Sequence, residues 1–462
     1  MTNFTELKQN AGKVSFKSSN NYLDEGFEWA KKQALEYAHF GEDPVGLWYE
    51  AALPGRASFC MRDVSHQSTA AGILGLRQHT KNMLDQFVKN ISASRDYCTY
   101  WEITNEGKPT PVDYTGDEDF WYNLPANFDL IRACFLQYLW TGDESYLKDP
   151  VYKNFYSKSF CEYINTWDKD GDGIPEHYSG YGRRGIASYN ESDLNYLLAG
   201  DMIAVQYGGL MSYAQMLKYA GQPGIAEEYV KKAEQLSGYY QKEWWNEKEK
   251  RFYGAMRQDR SFYEEYYSEA NFLPLLYGIV TSGEKLEQAI RDTIKNKGGS
   301  MNVEGMSHVP EMYYRYGFRD EAYKALLKLI DPALERREYP EVSFCTVSSY
   351  VTGLMGINPT GRSKVSTLSN LNDQVAWAEI KALPIFNNLL SVKHAGPDST
   401  EICSRSGESI RWKAVFRGAS DFLYHNGKKT GAAAETDAMG NALSYIEVEV
   451  QPGESHNISQ KM

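Results

Sequence analysis

Between about Tyr22 and Ile357, apolar residues recur at helical spacing in twelve successive stretches, and this run constrains the fold more than any other feature. The pattern predicts helices over 22–40, 64–77, 80–95, 126–141, 150–166, 193–219, 222–243, 270–280, 284–296, 306–317, 319–334 and 343–355. Stop signals such as Gly221-Gln222-Pro223 separate the stretches. The stretches therefore form six consecutive pairs, and antiparallel helix pairs can close into a ring.

A short segment rich in carboxylates, aromatics and small residues leads into every second helix. The six segments are 59–66, 100–103 with 121–127, 188–193, 266–271, 302–308 and 339–344. Helix N-termini attract anions and hydroxyl-rich ligands because their free N–H groups and dipole point outward. If the even-numbered helices line the inside of an (α/α)6 barrel, the six segments share one rim. We then expect a polar pocket with aromatic walls, which suits a sugar.

The pattern changes after Pro359-Thr360-Gly361. The segments 374–382, 387–394, 400–405, 409–416 and 444–450 favour alternation of apolar and polar residues. The sequence thus predicts a mainly α chain in two domains. Residues 1–361 form an (α/α)6 barrel (a six-hairpin toroid), and residues 362–462 form a small antiparallel β-domain of the sandwich type.

The composition limits the partners and the compartment. A formal net charge of −12 argues against nucleic acid or an anionic membrane as the main partner. The sequence has no run of 18 or more apolar residues that would span a membrane. The first residues lack a secretory pattern, and the six cysteines lack metal-type spacing. We expect a cytoplasmic protein with reduced cysteines, and the sequence leaves its oligomeric state open.

Three further motifs carry a resemblance to a known group. They are Met61-Arg-Asp63, the run Trp167-Asp-Lys-Asp-Gly-Asp-Gly-Ile-Pro-Glu176 followed by Tyr189-Asn-Glu191, and Tyr339-Pro-Glu-Val-Ser-Phe344. In these motifs the chain resembles the six-hairpin glycosidases, which include glucoamylases, trehalases, α-L-rhamnosidases and glycogen-debranching glucosidases. The stretch Leu53 to Asp63 departs from the α-L-rhamnosidase pattern because it has no Arg-Asp-Glu, so the resemblance does not extend to rhamnose specificity.

The resemblance implies a glycoside hydrolase that acts on an oligosaccharide or glycoside, with exo action and inversion. Such enzymes use a carboxylic acid to protonate the leaving oxygen and a second carboxylate across the sugar. The family layout implies Glu191 or Asp193 as the acid, with Glu191 favoured, and Glu341 as the base. Each residue has a structural alternative, since Asp193 and Glu341 could instead cap or begin a helix.

Further residues are predicted to bind the sugar. The resemblance implies that Asp63, beside Arg62, accepts hydrogen bonds from sugar hydroxyls, although a buried ion pair is the alternative. Trp101 offers a stacking face beside Glu102, with core packing as the competing role. The remaining predicted binding residues are Asp129, Tyr189, Asp193, Glu304 and His308.

No cofactor is predicted, with one exception left open. Asp168, Asp170 and Asp172 begin like a calcium loop, but Ser179 stands where a bidentate Glu is expected. An ordered turn without metal is favoured, and calcium remains an alternative.

Two other functions compete with hydrolysis. A polysaccharide lyase on a similar helical barrel would use Tyr189 and His308 as base and acid. The other alternative is a carbohydrate-binding protein that has the barrel but no catalytic activity. The absence of G-x-S-x-G, P-loop and H-E-x-x-H motifs disfavours serine hydrolases, nucleotide enzymes and zinc proteases.

Overall fold

The computed structural model describes residues 4–191, 196–281, 283–296 and 301–462. Its helices are α1 Phe4–Asn10, α2 Asn21–Glu36, α3 Met61–Ile73, α4 Arg77–Val88, α5 Ala126–Thr141, α6 Ser145–Lys148, α7 Pro150–Lys158, α8 Ile164–Trp167, α9 Gly200–Tyr219, α10 Pro223–Glu243, α11 Glu269–Tyr277, α12 Glu284–Asn296, α13 Val303–Arg315, α14 Arg319–Ile330 and α15 Pro340–Ser348. Two π-helical segments, Ser159–Tyr163 and Ser349–Leu354, continue α7 and α15, and short 3-10 turns lie at Ala93–Arg95 and Ser179–Tyr181.

The strands are short in the helical region and longer near the C-terminus. They are β1 Ser15–Ser18, β2 Ala38–Asp43, β3 Gly46–Tyr49, β4 Ser58–Cys60, β5 Glu102–Thr104, β6 Tyr114–Gly116, β7 Asp119–Phe120, β8 Tyr122–Asn123, β9 Gly185–Ile186, β10 Tyr196–Ala199, β11 Trp245–Asn246, β12 Arg251–Phe252, β13 Ala255–Arg257, β14 Ile357–Gly361, β15 Lys364–Leu368, β16 Trp377–Ile385, β17 Asn388–Ala395, β18 Ser399–Ser404, β19 Ile410–Arg417, β20 Phe422–His425, β21 Lys428–Gly431, β22 Ala433–Thr436, β23 Ala442–Val450 and β24 Ser455–Ser459. Helices make up 43 % and strands 24 % of the structure, so β-structure is a larger share than a mainly α class predicts.

Every predicted helical stretch contains a helix, but three of the helices that follow a polar segment begin three residues earlier than predicted, as does α4 at Arg77. Helices α3, α13 and α15 start at Met61, Val303 and Pro340, three residues before the predicted starts. Local chemistry accounts for two of these starts: the Asn302 side chain caps α13, and Pro340 occupies the first turn of α15. The polar residues expected ahead of these helices therefore lie in their first turns.

Strand pairing overrides the helical pattern in two places. The predicted helix 22–40 ends at Glu36, because residues from Ala38 pair with β3. The predicted helix 193–219 begins only at Gly200, because β10 pairs with β13. Residues 193–195 of that prediction lie outside the described residues. The predicted helix 80–95 also ends early, at Val88, but there a 3-10 turn at Ala93–Arg95 follows instead of a paired strand.

Six helices form a closed series of contacts. In order, α3 packs on α5, α5 on α9, α9 on α11, α11 on α13, α13 on α15, and α15 again on α3. Other helices pack outside this series, with α4 against α3, α10 against α9, α12 against α11, α14 against α13 and α2 against α15. These contacts bring the N-terminal turns of α3, α13 and α15 close together.

Two larger sheets contain all the strands from β14 to β24, together with β1. One has seven strands in the order β1-β16-β17-β18-β24-β20-β21, and the other has five in the order β14-β15-β19-β23-β22. Pairing is antiparallel except between β15 and β19, which run parallel. Strand β1, close to the N-terminus, pairs with β16 from Ser15↔Lys381 to Ser18↔Ala378. The predicted boundary between 361 and 362 therefore does not separate the two sheets from the rest of the chain.

We expect Gly356→Ala to destabilise the link between the two regions. Gly356 has φ +54°, and an added Cβ would lie 2.0 Å from the Leu368 carbonyl oxygen. The left-handed backbone costs roughly 1–2 kcal/mol for a residue other than glycine, and overpacking adds about 1–3 kcal/mol. Gly396→Ala is the control, since Gly396 has φ +59° and nothing within 4 Å. Urea unfolding of the whole chain should show the larger loss at position 356, and equal losses would contradict the contact with Leu368.

Candidate active site

A pocket of about 390 Å³ opens where the first turns of several helices meet. Its lining residues are Arg62, Asp63, His66, Tyr189, Asn190, Glu191, Glu269, Leu273, Asn302, Glu304, Gly305, His308, Tyr339 and Glu341. Five of the six polar segments found in the sequence contribute to this lining. The sixth leads into α5, whose first turn places Asp129 beneath the lining. The pocket is therefore polar and is built from residues distant in the chain.

Glu341 stands at the centre of the buried part of the pocket. The same oxygen, Oε1, lies 2.6 Å from Nδ1 of His66 and 2.9 Å from Nε2 of His308. Burial alone would raise the pKa of Glu341, but the hydrogen bonds from His308 and His66 lower it below the usual range. The carboxyl group of Glu341 is therefore ionised at neutral pH.

Asp63 lies on the same side of the pocket. Burial, followed by the charge of Glu341, raises the pKa of Asp63 well above its usual value. Burial and the charge of His308 lower the pKa of His66 to about 4. Burial lowers the pKa of His308, but Cys345 and Glu341 outweigh it and raise that pKa well above its usual value. At neutral pH the Glu341 carboxylate therefore faces a protonated His308.

Glu191 occupies a different environment at the pocket mouth. Its side chain is 41 % exposed, and it lies 3.9 Å from Arg62. Desolvation raises the pKa of Glu191, the Arg62 charge opposes that rise, and Asp113 reinforces it. The carboxyl of Glu191 is thus open to a ligand and has a raised pKa.

Arg62 links the two sides of the pocket. Its guanidinium lies 5.0 Å from the centre of the Trp101 ring and 4.9 Å from that of Tyr189. Its Nη1 donates to the Tyr189 backbone carbonyl at 3.0 Å. Trp101 therefore supports Arg62 from outside the lining rather than forming part of the wall.

Beneath the pocket, Asp129 accepts hydrogen bonds from the hydroxyl groups of two tyrosines. The Tyr189 hydroxyl donates to it at 2.6 Å and the Tyr277 hydroxyl at 2.5 Å. Burial raises the pKa of Asp129 to about 6, against the hydrogen bonds from Tyr189 and Tyr277, which lower it. Asp129 is fully enclosed, so it supports Tyr189 rather than facing the pocket.

We expect Tyr277→Phe to lower the free energy of unfolding by about 1.5–3 kcal/mol, because the buried Asp129 carboxylate loses one of its donors. Tyr313→Phe is the matched control, since the buried Tyr313 hydroxyl has no hydrogen-bond partner among the described residues. Removing that unpaired hydroxyl breaks no hydrogen bond and should not lower the free energy of unfolding. Chemical denaturation of both variants measures the difference, and equal losses would contradict the assigned role of Tyr277.

The remaining predicted binding residues have different positions. Glu304 lines the pocket and forms an ion pair with Arg336 at 2.6 Å. Glu102 lies away from the lining in β5, where it accepts from Ser58 and pairs with Arg56 at 3.2 Å. Asp193 lies outside the described residues.

The acidic loop after α8 is organised by its own backbone. The Asp168 carboxylate accepts from the N–H groups of Gly171, Asp172 and Gly173, at 2.8, 3.1 and 2.8 Å. Asp170 pairs with Arg260 at 2.8 Å. Both oxygens of Asp168 already have protein donors, and the arrangement is that of an ordered turn.

Sequence reasoning missed His66, Asn190, Glu269, Asn302 and Tyr339 as pocket residues, although each lies in or next to one of the six segments. His66 follows Asp63 by three positions, so both lie on one face of α3. That spacing was the available signal, but a single histidine on a helix carries little weight without its partners.

Comparison with known proteins identifies the fold. No family model matches the sequence, and no curated protein matches it. Solved structures do match. The α-L-rhamnosidase from Dictyoglumus thermophilum aligns with a TM-score of 0.63 at 12 % identity, over 97 % of this chain and 50 % of that one. The Streptomyces avermitilis α-L-rhamnosidase complexed with L-rhamnose aligns with a TM-score of 0.61 at 14 % identity, over 97 % and 42 %.

A putative kojibiose phosphorylase from the human microbiome also aligns, with a TM-score of 0.60 at 10 % identity, over 96 % of this chain and 64 % of that one. These proteins have the six-hairpin glycosidase-like fold. The present chain shares that fold with them, and it spans half or less of the length of the two rhamnosidases. Within the described part of the chain, none of the helices has the length and apolar character needed to cross a membrane.

Proposed function

We propose that this chain is a glycoside hydrolase that removes a terminal sugar from an oligosaccharide or glycoside with inversion, on an (α/α)6 barrel. The observation that carries the proposal is the pair of contrasting carboxyl groups in one pocket. Glu191 has a raised pKa and an exposed side chain, whereas Glu341 is buried and has a lowered pKa. Environments that push two carboxyl pKa values apart are what acid and base catalysis on a glycoside requires.

Each group has a defined role in this mechanism. Glu191 donates its proton to the glycosidic oxygen as the bond to the anomeric carbon breaks. Glu341 accepts a proton from a water molecule that attacks the opposite face of the sugar. At the end of the cycle Glu191 is ionised and Glu341 is protonated, and exchange with solvent restores both.

The other lining residues would hold the sugar. Asn190 and Asn302 offer amide groups to hydroxyls, and Glu304, held by Arg336, offers a fixed carboxylate. Arg62, between Trp101 and Tyr189, places a cation near Glu191 and would stabilise it after it loses its proton. The fold shared with rhamnosidases and a phosphorylase of sugars supports a carbohydrate ligand.

The competing lyase mechanism has less support. It would need the Tyr189 hydroxyl as a base facing a uronic acid, but this hydroxyl already contacts Asp129, Tyr277 and His66. The pocket also carries more carboxylates than cations, which disfavours an acidic sugar.

Incubation with a panel of nitrophenyl glycosides and oligosaccharides tests the proposal. We expect release of a monosaccharide from at least one substrate, with no ultraviolet absorbance from an unsaturated product. Products with that absorbance would establish the lyase instead. Binding of sugars without turnover, unchanged in Glu191→Gln, would reject catalysis.

A further inference from the structure

Three potential metal ligands converge in the inner part of the pocket. His66 on α3, His308 on α13 and Glu341 on α15 present one donor atom each, all within 4.8 Å of one another. The two imidazole rings lie 4.4 Å apart between centres, with an angle of 75° between their planes. We propose that these three side chains bind a divalent transition-metal cation of the zinc type.

The donor set defines the kind of cation. Two imidazole nitrogens and one carboxylate oxygen suit zinc and its neighbours in the first transition row, whereas calcium and magnesium prefer oxygen alone. Three protein ligands with one open position are typical of reactive rather than structural zinc sites. All three side chains line the pocket, so the fourth position faces the space available to water or a sugar hydroxyl.

The hydrogen-bond network behind the ligands fixes their orientation. The Tyr189 hydroxyl lies 2.6 Å from both carboxylate oxygens of Asp129, so its single proton is directed there. The Tyr189 oxygen can then accept from Nε2–H of His66, 3.2 Å away, in the tautomer that leaves Nδ1 available to a metal. Metal-binding histidines commonly donate their second N–H to such a partner.

In this tautomer a lone pair on Nδ1 of His66 faces Oε1 of Glu341 across 2.6 Å, whereas in the metal-free site Nδ1–H donates to that oxygen. Two acceptors at that distance repel each other unless a proton or a metal cation lies between them. On the other side, Nδ1 of His308 lies 3.9 Å from the Cys345 sulfur, a weak acceptor that leaves Nε2 directed at Glu341. Both histidines are thus oriented toward one point.

Neither of two other candidate groups has these features. The carboxylate of Asp168 is occupied by backbone N–H groups, and Asp170 by Arg260. His425 and His456 contact each other at 2.9 Å on the β-sheet, where Glu454 adds a carboxylate 3.2 Å from His456. This second pair provides a control for binding at half-buried histidines outside the pocket.

Equilibrium dialysis of the whole chain against ZnCl2, with zinc measured by atomic absorption, tests the proposal. We expect one tightly bound ion per chain, without competition from excess calcium. His66→Gln and His308→Gln should each weaken binding by about 100-fold or more, since loss of an outer-sphere partner alone costs 10–100-fold. The double variant His425→Ala, His456→Ala should retain the tight site.

Circular dichroism establishes that the variants are folded, and Co²⁺ provides a readout on the unaltered chain. Visible absorption bands of four-coordinate Co²⁺, removed by stoichiometric Zn²⁺, are the expected result. Unchanged affinity in His66→Gln and His308→Gln, or loss of binding only in the His425, His456 variant, would overturn the proposal. So would a wild-type chain that binds neither ion. Metal binding does not require hydrolysis, so a chain without glycosidase activity can still pass this test. A bound metal would share Glu341 with the base role proposed above.

Discussion

Glu191→Gln should lower kcat for an unactivated glycoside by about 10²- to 10⁴-fold, the range typical of general acid catalysis. The amide cannot donate a proton to the leaving oxygen at a useful rate. Substrates with very acidic leaving groups, such as dinitrophenyl glycosides, need little protonation and should lose far less. Steady-state kinetics on a matched series of leaving groups measures this difference.

The pH profile provides a second readout of the same residue. Glu191 acts while protonated, and its raised pKa extends the protonated form to higher pH, so activity should fall on the alkaline side as Glu191 ionises. This alkaline limb should be absent in Glu191→Gln. Glu304→Gln is the control, because loss of a binding carboxylate should raise KM without changing the dependence on the leaving group. Equal losses on all substrates in Glu191→Gln would indicate a binding role.

Glu341→Gln should lower hydrolysis by a similar factor of about 10²–10⁴, but to the same extent for good and poor leaving groups. Activation of water is needed in both cases, so an acidic leaving group does not compensate. In the unaltered chain, proton NMR should show a first product of opposite anomeric configuration, and the two carboxyl groups should lie roughly 6.5–9.5 Å apart. A retained configuration would reject Glu341 as the base.

The sequence predicted helices well where they pack without competition. The 3.6-residue pattern gave α5 and α12 at their observed bounds, 126–141 and 284–296. It failed at Ala38–Asp43 and Tyr196–Ala199, where pairing with a distant strand overrides the local preference. Strand β1 has only four residues, too few to show alternation.

The candidate site was only partly predictable for a related reason. Seven of the residues predicted from the sequence line one pocket: Arg62, Asp63, Tyr189, Glu191, Glu304, His308 and Glu341. Three other predicted residues have similar polar or aromatic neighbours in the sequence, namely Trp101, Glu102 and Asp129. The fold nevertheless places these three behind or beside the pocket lining. His66 belongs to the site because it contacts Glu341, and the two residues are 275 positions apart in the chain. The sequence alone therefore gives no sign of that contact.

The pairing of β1 with β16 also bears on how the protein forms during synthesis. Leu23, shortly after β1, accepts a hydrogen bond from the Tyr350 hydroxyl, 327 residues further along the chain. At roughly 5–20 residues per second, ribosomes take about 15–65 s to cover that interval. Throughout it, β1 is an unpaired edge strand and α2 exposes the apolar face that α15 later covers. This segment of the nascent chain is therefore a natural binding site for chaperones until α15 and β16 emerge.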